Sequence, residues 1–139
     1  MNKVFTDGVF DLFHSNHWEM LNDASELGDF LLVGVVSDKT AMSYKRRPIM
    51  SEKERLRAVQ QHPLVNECFI IDGLLISSTM KDIMKVHDIS TVVYAGTSTP
   101  DFYLPAEEAD IMRRIPYREG ITSSVLIDRV IERFKSGDI

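Results

Sequence analysis

The feature that most constrains the fold is a nearly uninterrupted apolar run, Phe30–Val36, with the sequence FLLVGVV. A strand that faces water on one side alternates apolar and polar residues, whereas a strand covered on both faces does not. The run is also far shorter than the roughly 20 apolar residues that a membrane-spanning helix needs. It therefore predicts a central strand of a parallel sheet that is packed between helices.

Short apolar segments recur along the chain and alternate with stretches of helical period. Five of them are predicted strands: Val4–Thr6, Phe30–Val36, Cys68–Ile71, Thr91–Ala95 and Ile111–Ile115. Four stretches with apolar residues at helical spacing are predicted helices: 15–27, 51–62, 78–87 and 124–135. Residues 96–108 contain two prolines and predict a loop around a short helical turn. The alternation predicts one α/β domain over residues 1–139, with a Rossmann-like, doubly wound sheet of five parallel strands.

Composition and charge argue against several classes of partner. The formal net charge is −5, which disfavours broad binding to nucleic acid or to an anionic membrane. Cys68 is the single cysteine, so no intrachain disulfide forms and a reducing compartment is expected. No basic-then-apolar leader opens the chain, and no apolar run has the length of a membrane span. We therefore expect a cytoplasmic protein with no membrane span and no nucleic-acid partner.

The predicted sheet also indicates where a ligand would bind. In doubly wound sheets, ligands lie beyond the carboxyl ends of the strands, where the strand order reverses. Three segments follow strands on that edge: 7–17, 37–48 and the loop after Ala95. We expect the functional residues to come from these segments.

Two of the four histidines stand three residues apart where the first predicted strand gives way to a helix. On a first helical turn, His14 and His17 would project to the same side. The free N–H groups of a helix start favour an anion, and two imidazoles beside them would stabilise charge on a phosphoryl group. For this spacing alone, the commoner alternative is that one histidine caps the helix and the other packs or is solvated. Asp11 is the one nearby third ligand, so we predict no metal-ligating residues.

Three motifs together resemble a known family. Residues 8–17 read GVFDLFHSNH, which is similar to the pattern G-x-F-D-x-x-H-x-G-H of the cytidylyltransferase branch of the nucleotidyltransferase superfamily. Residues 45–55, KRRPIMSEKER, resemble the K-G-x-x-V-M-x-x-x-E-R stretch of choline- and ethanolamine-phosphate cytidylyltransferases. Residues 117–124, YREGITSS, approximate the family's R-T-E-G-I-S-T-S. The motifs stand in family order, and the resemblance, which extends to glycerol-3-phosphate cytidylyltransferases, covers about residues 3–133.

The resemblance implies a reaction. Family members transfer CMP from CTP to a phosphorylated alcohol, or a phosphonate, and release pyrophosphate. The acceptor oxygen attacks the α-phosphorus in line, without a covalent enzyme intermediate, so the protein positions the reactants and stabilises charge. Mg²⁺ normally accompanies the triphosphate, and the family is often dimeric, so a homodimer is expected. Two alternatives stay open: adenylyl transfer from ATP, and a nucleotide-binding module that has lost catalysis.

The resemblance also implies roles for particular residues. Four would act on the reacting phosphates: His14, His17, Lys45 and Arg118. Within this set, Lys45 would reach the α- and β-phosphates from a mobile loop. Ten further residues would contact the nucleotide or the acceptor: Gly8, Phe10, Asp11, Asn16, Asp38, Arg55, Gly120, Ile121, Thr122 and Ser123. Among these, Arg55 would lie near the acceptor or phosphate pocket, and residues 120–123 would hold the β- and γ-phosphates at a helix start.

Each assignment has a structural alternative. The basic run 45–47 is typical of a solvated surface loop as well as of a phosphate site. Asp11 is an ordinary turn-stabilising residue. Thr122 and Ser123 are good helix caps in any protein. An Asp such as Asp38 commonly ends a strand.

The chain departs from the family pattern at three places. Asn16 replaces the glycine of H-x-G-H, where its side chain would crowd the nucleotide or add a hydrogen bond. Tyr117 stands where the family has Arg, so the guanidinium would come from Arg118, or else from Arg113 or Arg114. The family's acidic pair after the fourth strand is missing, because residues 94–97 read YAGT.

The acceptor region lacks one more family feature. Residues 74–78, LLISS, occupy the place where choline and ethanolamine enzymes carry an aromatic residue for the head group. Its absence speaks against a quaternary ammonium caged by aromatic rings. Three aromatic residues elsewhere are the alternative source of such contacts: Tyr94, Phe102 and Tyr103.

Overall fold

A computed structural model describes residues 1–139 as one five-stranded sheet flanked by helices. The strands are β1 (Lys3–Gly8), β2 (Phe30–Val36), β3 (Glu67–Ile71), β4 (Thr91–Ala95) and β5 (Met112–Ile115). Their order in the sheet is β3-β2-β1-β4-β5, and every neighbouring pair is parallel. The α/β fold with a doubly wound, five-stranded parallel sheet is confirmed. Strand order reverses between β1 and β4, which places the ligand-binding edge at their carboxyl ends.

The helices are α1 (Ser15–Ser25), α2 (Asp38–Tyr44), α3 (Glu52–Gln60), α4 (Ser77–His87), α5 (Leu104–Glu108) and α6 (Ser123–Lys135). A 3₁₀ turn at Asp101–Tyr103 precedes α5, inside the segment predicted to contain a short helical turn. The sequence analysis did not predict α2. This helix has seven residues and buries only Thr40 and Ala41, so it has no apolar periodicity, and it begins because the Ser37 side chain caps the N–H of Thr40.

The two faces of the sheet carry separate hydrophobic clusters. One cluster contains Val4, Phe10, Leu21, Ala24, Leu31, Val33, Val35, Val59 and Val93. The other contains Phe5, Leu32, Ile71, Met80, Ile83, Val92, Phe102, Tyr103 and Ala106. Successive residues of β1, β2 and β4 therefore point to opposite clusters, which explains why the predicted central strand is apolar at every position. Gly34 interrupts that strand because a Cβ there would stand 2.5 Å from Cδ1 of Ile71.

The last helix is the exception to this packing. α6 buries none of its residues, and the ring of Phe134 is 71% exposed. The helix is attached at its amino end, where Ser123 Oγ donates a hydrogen bond to the carbonyl oxygen of Asp11. Its start is thereby brought to the carboxyl edge of the sheet. No helix of the chain combines the length and the apolar character that a membrane crossing requires.

Candidate active site

A cavity of about 330 Å³ lies at the predicted edge, between the start of α1, the loop after α2 and the segment before α6. Its lining consists of His14, Asn16, His17, Met20, Lys45, Ala95, Pro116, Tyr117, Arg118, Ile121, Thr122, Ser123 and Ser124. The lining contains a lysine and an arginine but no carboxylate, although the whole chain is acidic. A second cavity of about 100 Å³ adjoins it and shares His17, Lys45 and Ser123. The two basic residues and the absence of carboxylates in the larger cavity suit a polyanionic ligand.

The two histidines form one unit. Their rings stack with centroids 3.8 Å apart and planes inclined by 24°. The backbone N–H of His14 donates to Nδ1 of His17 at 3.2 Å. Because Nδ1 accepts, the neutral ring of His17 carries its proton on Nε2. The spacing that brings both histidines onto the first turn therefore also selects a tautomer.

Both imidazoles are neutral near pH 7. Burial, and after it the neighbouring His14, lowers the pKa of His17 to about 3. Burial also lowers the pKa of His14. Nδ1 of His14 is the one buried side-chain nitrogen or oxygen that lacks a hydrogen-bond partner.

The turn between β1 and α1 holds the pair in place. Phe10 and Leu12 adopt left-handed backbone angles, with φ of 57° and 51°, which are strained for side-chain-bearing residues. Gly8 has no Cβ, which would stand 3.0 Å from the ring of Phe10. The rings of Phe10 and Phe13 lie 5.4 and 5.5 Å from that of His17. Gly8 and Phe10 thus shape the turn, and Phe10 also lines the smaller cavity.

Asp11 connects three parts of the site. Its two carboxylate oxygens accept hydrogen bonds from the backbone N–H groups of Ile49 (2.8 Å) and Met50 (2.9 Å), at the end of the loop that carries Lys45. Its carbonyl oxygen accepts from Ser123. The side chain is 3% exposed. These bonds give Asp11 a structural role in holding the end of the Lys45 loop, and Asp11 also lines the smaller cavity.

The segment between β5 and α6 closes the cavity. Gly120 has φ of +97°, a conformation that other residues rarely adopt. Thr122 caps α6 by accepting from the N–H of Val125 at 3.1 Å. The Arg118 guanidinium contacts the carboxylate of Asp23 at 2.8 to 3.2 Å and lines the cavity. Arg113 and Arg114 bind other groups and line neither cavity, so Arg118 is the arginine that the closing motif supplies.

Asn16 joins the two motifs that carry the resemblance. Its Nδ2 lies 2.9 Å from the carbonyl oxygen of Ile121, 3.0 Å from that of Glu119 and 3.3 Å from that of Arg118. Asn16 has helical backbone angles as part of α1, so it does not use the conformational freedom of the glycine it replaces. Its side chain lines the cavity and bonds to the protein itself.

Comparisons with known proteins bear on the family of the chain. The sequence model of one protein family, described as cytidylyltransferase-like, matches residues 5–130. The chain belongs to the cytidylyltransferase-like family. It is 35% identical to an ethanolamine-phosphate cytidylyltransferase of Arabidopsis thaliana (92% of this chain, 32% of that protein). It is 32% identical to a glycerol-3-phosphate cytidylyltransferase of Bacillus spizizenii (89% of this chain, 93% of that protein).

Two further comparisons bear on length and fold. The choline-phosphate cytidylyltransferase A of Homo sapiens is 31% identical over 95% of this chain and 37% of its own length. The chain thus spans only about a third of the ethanolamine- and choline-phosphate relatives. A solved structure of a lipopolysaccharide core biosynthesis protein from Thermoplasma volcanium has a TM-score of 0.73 at 22% identity, covering 86% of this chain and 99% of that one. This likeness supports the α/β fold described above.

Arg55 and Asp38, which were expected to contact the acceptor or the nucleotide, both lie outside the two cavities. Arg55 does not line either cavity: its side chain is fully buried and donates to the carbonyl oxygens of Met50, Val9 and Val36. Its Nη2 forms an ion pair of 2.6 Å with Asp38. A buried guanidinium needs a partner for nearly every N–H, and the strand ends supply them. Arg55 and Asp38 therefore brace the carboxyl ends of β1 and β2.

The sequence analysis named Tyr94 and Tyr103 as an alternative source of aromatic contacts but did not link them to Asp7. The hydroxyl of Tyr103 donates to Asp7 at 2.6 Å, and the ring of Tyr94 stacks on that of Tyr103 at 4.5 Å. Burial raises the pKa of Asp7 to about 6, although the hydrogen bond from Tyr103 acts against the shift. Asp7 directly follows the predicted strand Val4–Thr6, which was the available signal. Nothing local links it to a tyrosine 96 residues away.

The residues offer few ligands to a metal ion. No group of three or more His, Cys, Asp or Glu side chains is placed to hold one. The lining of the larger cavity supplies nitrogen and hydroxyl groups rather than carboxylates. Mg²⁺ prefers oxygen ligands and retains several waters. An ion in this cavity would therefore depend on the oxygens of its ligand.

Proposed function

We propose that this domain transfers CMP from CTP to a phosphorylated alcohol or a phosphonate, and releases pyrophosphate. The observation that carries the proposal is the convergence of the stacked His14–His17 pair, Lys45 and the start of α6 on a cavity without a carboxylate. These are the groups that stabilise a triphosphate while its α-phosphorus reacts. Membership of the cytidylyltransferase-like family supports the same reaction.

The reaction needs no nucleophile from the protein. An oxygen of the acceptor's phosphate or phosphonate forms a bond to the α-phosphorus, and the bond from that phosphorus to the bridging oxygen breaks, so that pyrophosphate leaves. Negative charge develops on the bridging and non-bridging oxygens during this step. The Nε2–H of His17, the ammonium of Lys45 and the N–H groups at the start of α6 are the donors available to those oxygens. The low pKa of His17 makes it a neutral hydrogen-bond donor in the free protein rather than a standing cation.

We also propose that Mg²⁺ enters with the nucleotide. The lack of carboxylates in the cavity lining leaves the phosphate oxygens and water as its ligands. The ion would neutralise part of the charge on the β- and γ-phosphates. Lys45 and the closing segment would then contact the remaining phosphate oxygens.

The acceptor would lie on the side of Asp7. A carboxylate beside stacked tyrosines, at the carboxyl ends of β1 and β4, suits a cationic head group. The half-buried ring of Tyr94, which stacks on the buried ring of Tyr103, thus offers an aromatic contact that residues 74–78 lack. We propose that an amino-alcohol phosphate is a better acceptor than glycerol 3-phosphate.

The direct test is pyrophosphate release from CTP and Mg²⁺ with a panel of acceptors: phosphoethanolamine, phosphocholine, glycerol 3-phosphate and a 2-aminoethylphosphonate. We expect release with at least one of them, and a loss of about 100-fold or more in kcat for His14→Ala. Absence of release with every nucleoside triphosphate and acceptor contradicts the proposal. Tight CTP binding without turnover would instead support an inactive nucleotide-binding module.

Two further points accompany the proposal. Calorimetry with CTP and ATP separates cytidylyl from adenylyl transfer, and we expect CTP to bind more tightly. We propose that the protein is a homodimer, as the family resemblance implies. Light scattering that gives the mass of one chain, 15.9 kDa, contradicts the dimer without touching the reaction.

A further inference from the structure

The side chain of Asn16 gathers three carbonyl groups of one short segment. The carbonyl oxygens of Arg118, Glu119 and Ile121 all lie within 3.3 Å of Nδ2. Three acceptors around one end of the amide identify that end as the nitrogen. The amide has two protons, so the two shorter contacts, to Ile121 and Glu119, are its main hydrogen bonds.

The segment has little else to hold it. No backbone–backbone hydrogen bond involves any of residues 116–121. Gly120 has open space where a Cβ would be, and the side chain of Tyr117 is 62% exposed. The ion pair between Arg118 and Asp23 is the one other polar contact from α1 to this segment within 3.5 Å. Asn16 is therefore the main anchor of the backbone at residues 118–121.

The direction of the carbonyl groups fixes the direction of the N–H groups. All peptide bonds of the chain are trans, and in a trans peptide unit the C=O and the following N–H point in opposite directions. When the carbonyls of Arg118, Glu119 and Ile121 face Asn16, the N–H groups of Glu119, Gly120 and Thr122 face away from it. Of these three residues, Thr122 lines the larger cavity.

We propose that Asn16 is a positioning residue that holds residues 118–121 in place, so that Arg118, Ile121 and Thr122 line the cavity that would take the triphosphate. Asn16 bonds only to carbonyl oxygens, so it occupies none of the N–H donors of the segment. Glycine, which the family pattern has at this position, offers no such anchor. The inference rests on the proposed function for the identity of the ligand, but the anchoring itself does not.

The first experiment measures the anchor without a ligand. ¹⁵N relaxation of the 15.9 kDa chain gives order parameters for the amides of Glu119, Gly120 and Ile121. We expect values near those of rigid backbone in the natural protein and a fall to about 0.6 or below in Asn16→Gly. Asn16→Asp keeps the side chain's size but loses the donor, and an acidic residue stabilises the first turn of a helix, so this variant folds. It should show the same fall.

The matched control lies on the same helix. Asn22→Gly introduces the same substitution in α1 at a side chain that makes no hydrogen bond, and it should leave the order parameters of 119–121 unchanged. Unchanged values in both Asn16 variants overturn the inference. An equal fall in Asn22→Gly also overturns it, because the effect would then come from the helix and not from the anchor.

The second experiment tests whether the anchor affects nucleotide binding. Calorimetry with CTP and Mg²⁺ should show about tenfold weaker binding in Asn16→Gly and no change in Asn22→Gly. Binding that is unchanged or tighter in Asn16→Gly overturns the inference, even if the segment has loosened. If the natural protein binds no nucleotide, the proposed function fails, and the order parameters still decide whether Asn16 anchors the segment.

Discussion

Arg118 is paired with Asp23 rather than directed freely into the cavity. Nη2 of Arg118 lies 2.8 and 3.0 Å from the two carboxylate oxygens of Asp23, and Glu19 stands 3.9 Å away. The side chains of Arg118 and Asp23 are 42% and 27% exposed, so water screens the pair and its net contribution to stability is small, about 0–1 kcal/mol. A triphosphate carries more charge than one carboxylate. The guanidinium can therefore transfer to a phosphate at little cost.

This exchange predicts opposite effects for the two partners. Arg118→Ala should weaken CTP binding about tenfold, because a charge-assisted contact to phosphate is lost. Asp23→Asn should leave CTP binding unchanged or tighten it up to about threefold, because the competing carboxylate is removed. Both variants should keep the free energy of unfolding within about 1 kcal/mol of the natural protein. Calorimetry and urea unfolding measure the two quantities, and weaker CTP binding in Asp23→Asn contradicts the exchange.

The stacked histidines predict a stability profile with pH. The pKa of His17 is about 3 in the folded protein and near 6.5 when unfolded, so between these values the unfolded chain binds more protons. The free energy of unfolding should therefore fall as the pH drops from 6.5 toward 3, and His17 should have no effect on its slope above pH 7. His17→Gln removes the titration, so the difference between the two urea midpoints should shift in favour of the variant as the pH falls to 4.5. A constant difference across this range means that the pKa of His17 is not depressed.

The buried ion pair of Arg55 predicts a loss of stability rather than a specific loss of chemistry. Removing the guanidinium in Arg55→Met leaves Asp38 and three backbone carbonyls without their donor, which should cost about 3–5 kcal/mol. Arg46→Met is the control, because Arg46 is exposed and makes one side-chain hydrogen bond, to Ser124. It should stay within about 0.5 kcal/mol. Equal urea midpoints for the two variants would contradict the bracing role of Arg55.

These residues also show which features the sequence alone could predict and which it could not. The apolar run of β2 and the periodicity of α1 depend on neighbours in the chain, so the fold could be predicted from them. The contact between His14 and His17 could be predicted for the same reason, because residues three apart at a helix start face the same side. Arg55 follows a basic run just as a phosphate-binding residue would, and only burial separates the two roles. The pairing of Asp7 with Tyr103 depends on the order of β1 and β4 in the sheet, which local patterns do not contain.

Asp7 should control the choice of acceptor. Asp7→Asn keeps an oxygen that accepts from Tyr103 but removes the charge, so an ammonium-bearing acceptor loses an opposite charge and glycerol 3-phosphate does not. We expect kcat/KM for phosphoethanolamine to fall about tenfold or more, with a change of less than about threefold for glycerol 3-phosphate. Asp72→Asn, at the exposed residue that follows β3, is the matched control and should change neither.

Asp7→Asn should also change how the free energy of unfolding depends on pH. This effect is expected whether or not Asp7 contacts the acceptor, so stability and acceptor preference are measured together. The pKa of Asp7 is raised from 3.8 to about 6, which means that the folded protein holds a proton longer than the unfolded chain between these values. Ionised Asp7 therefore lowers the free energy of unfolding as the pH rises from about 4 to 6. Asp7→Asn should gain about 1–2 kcal/mol over the natural protein at pH 8, after allowance for partial exposure, and little at pH 4. A stability gain without a change in acceptor preference places the charge at Asp7 but away from the acceptor.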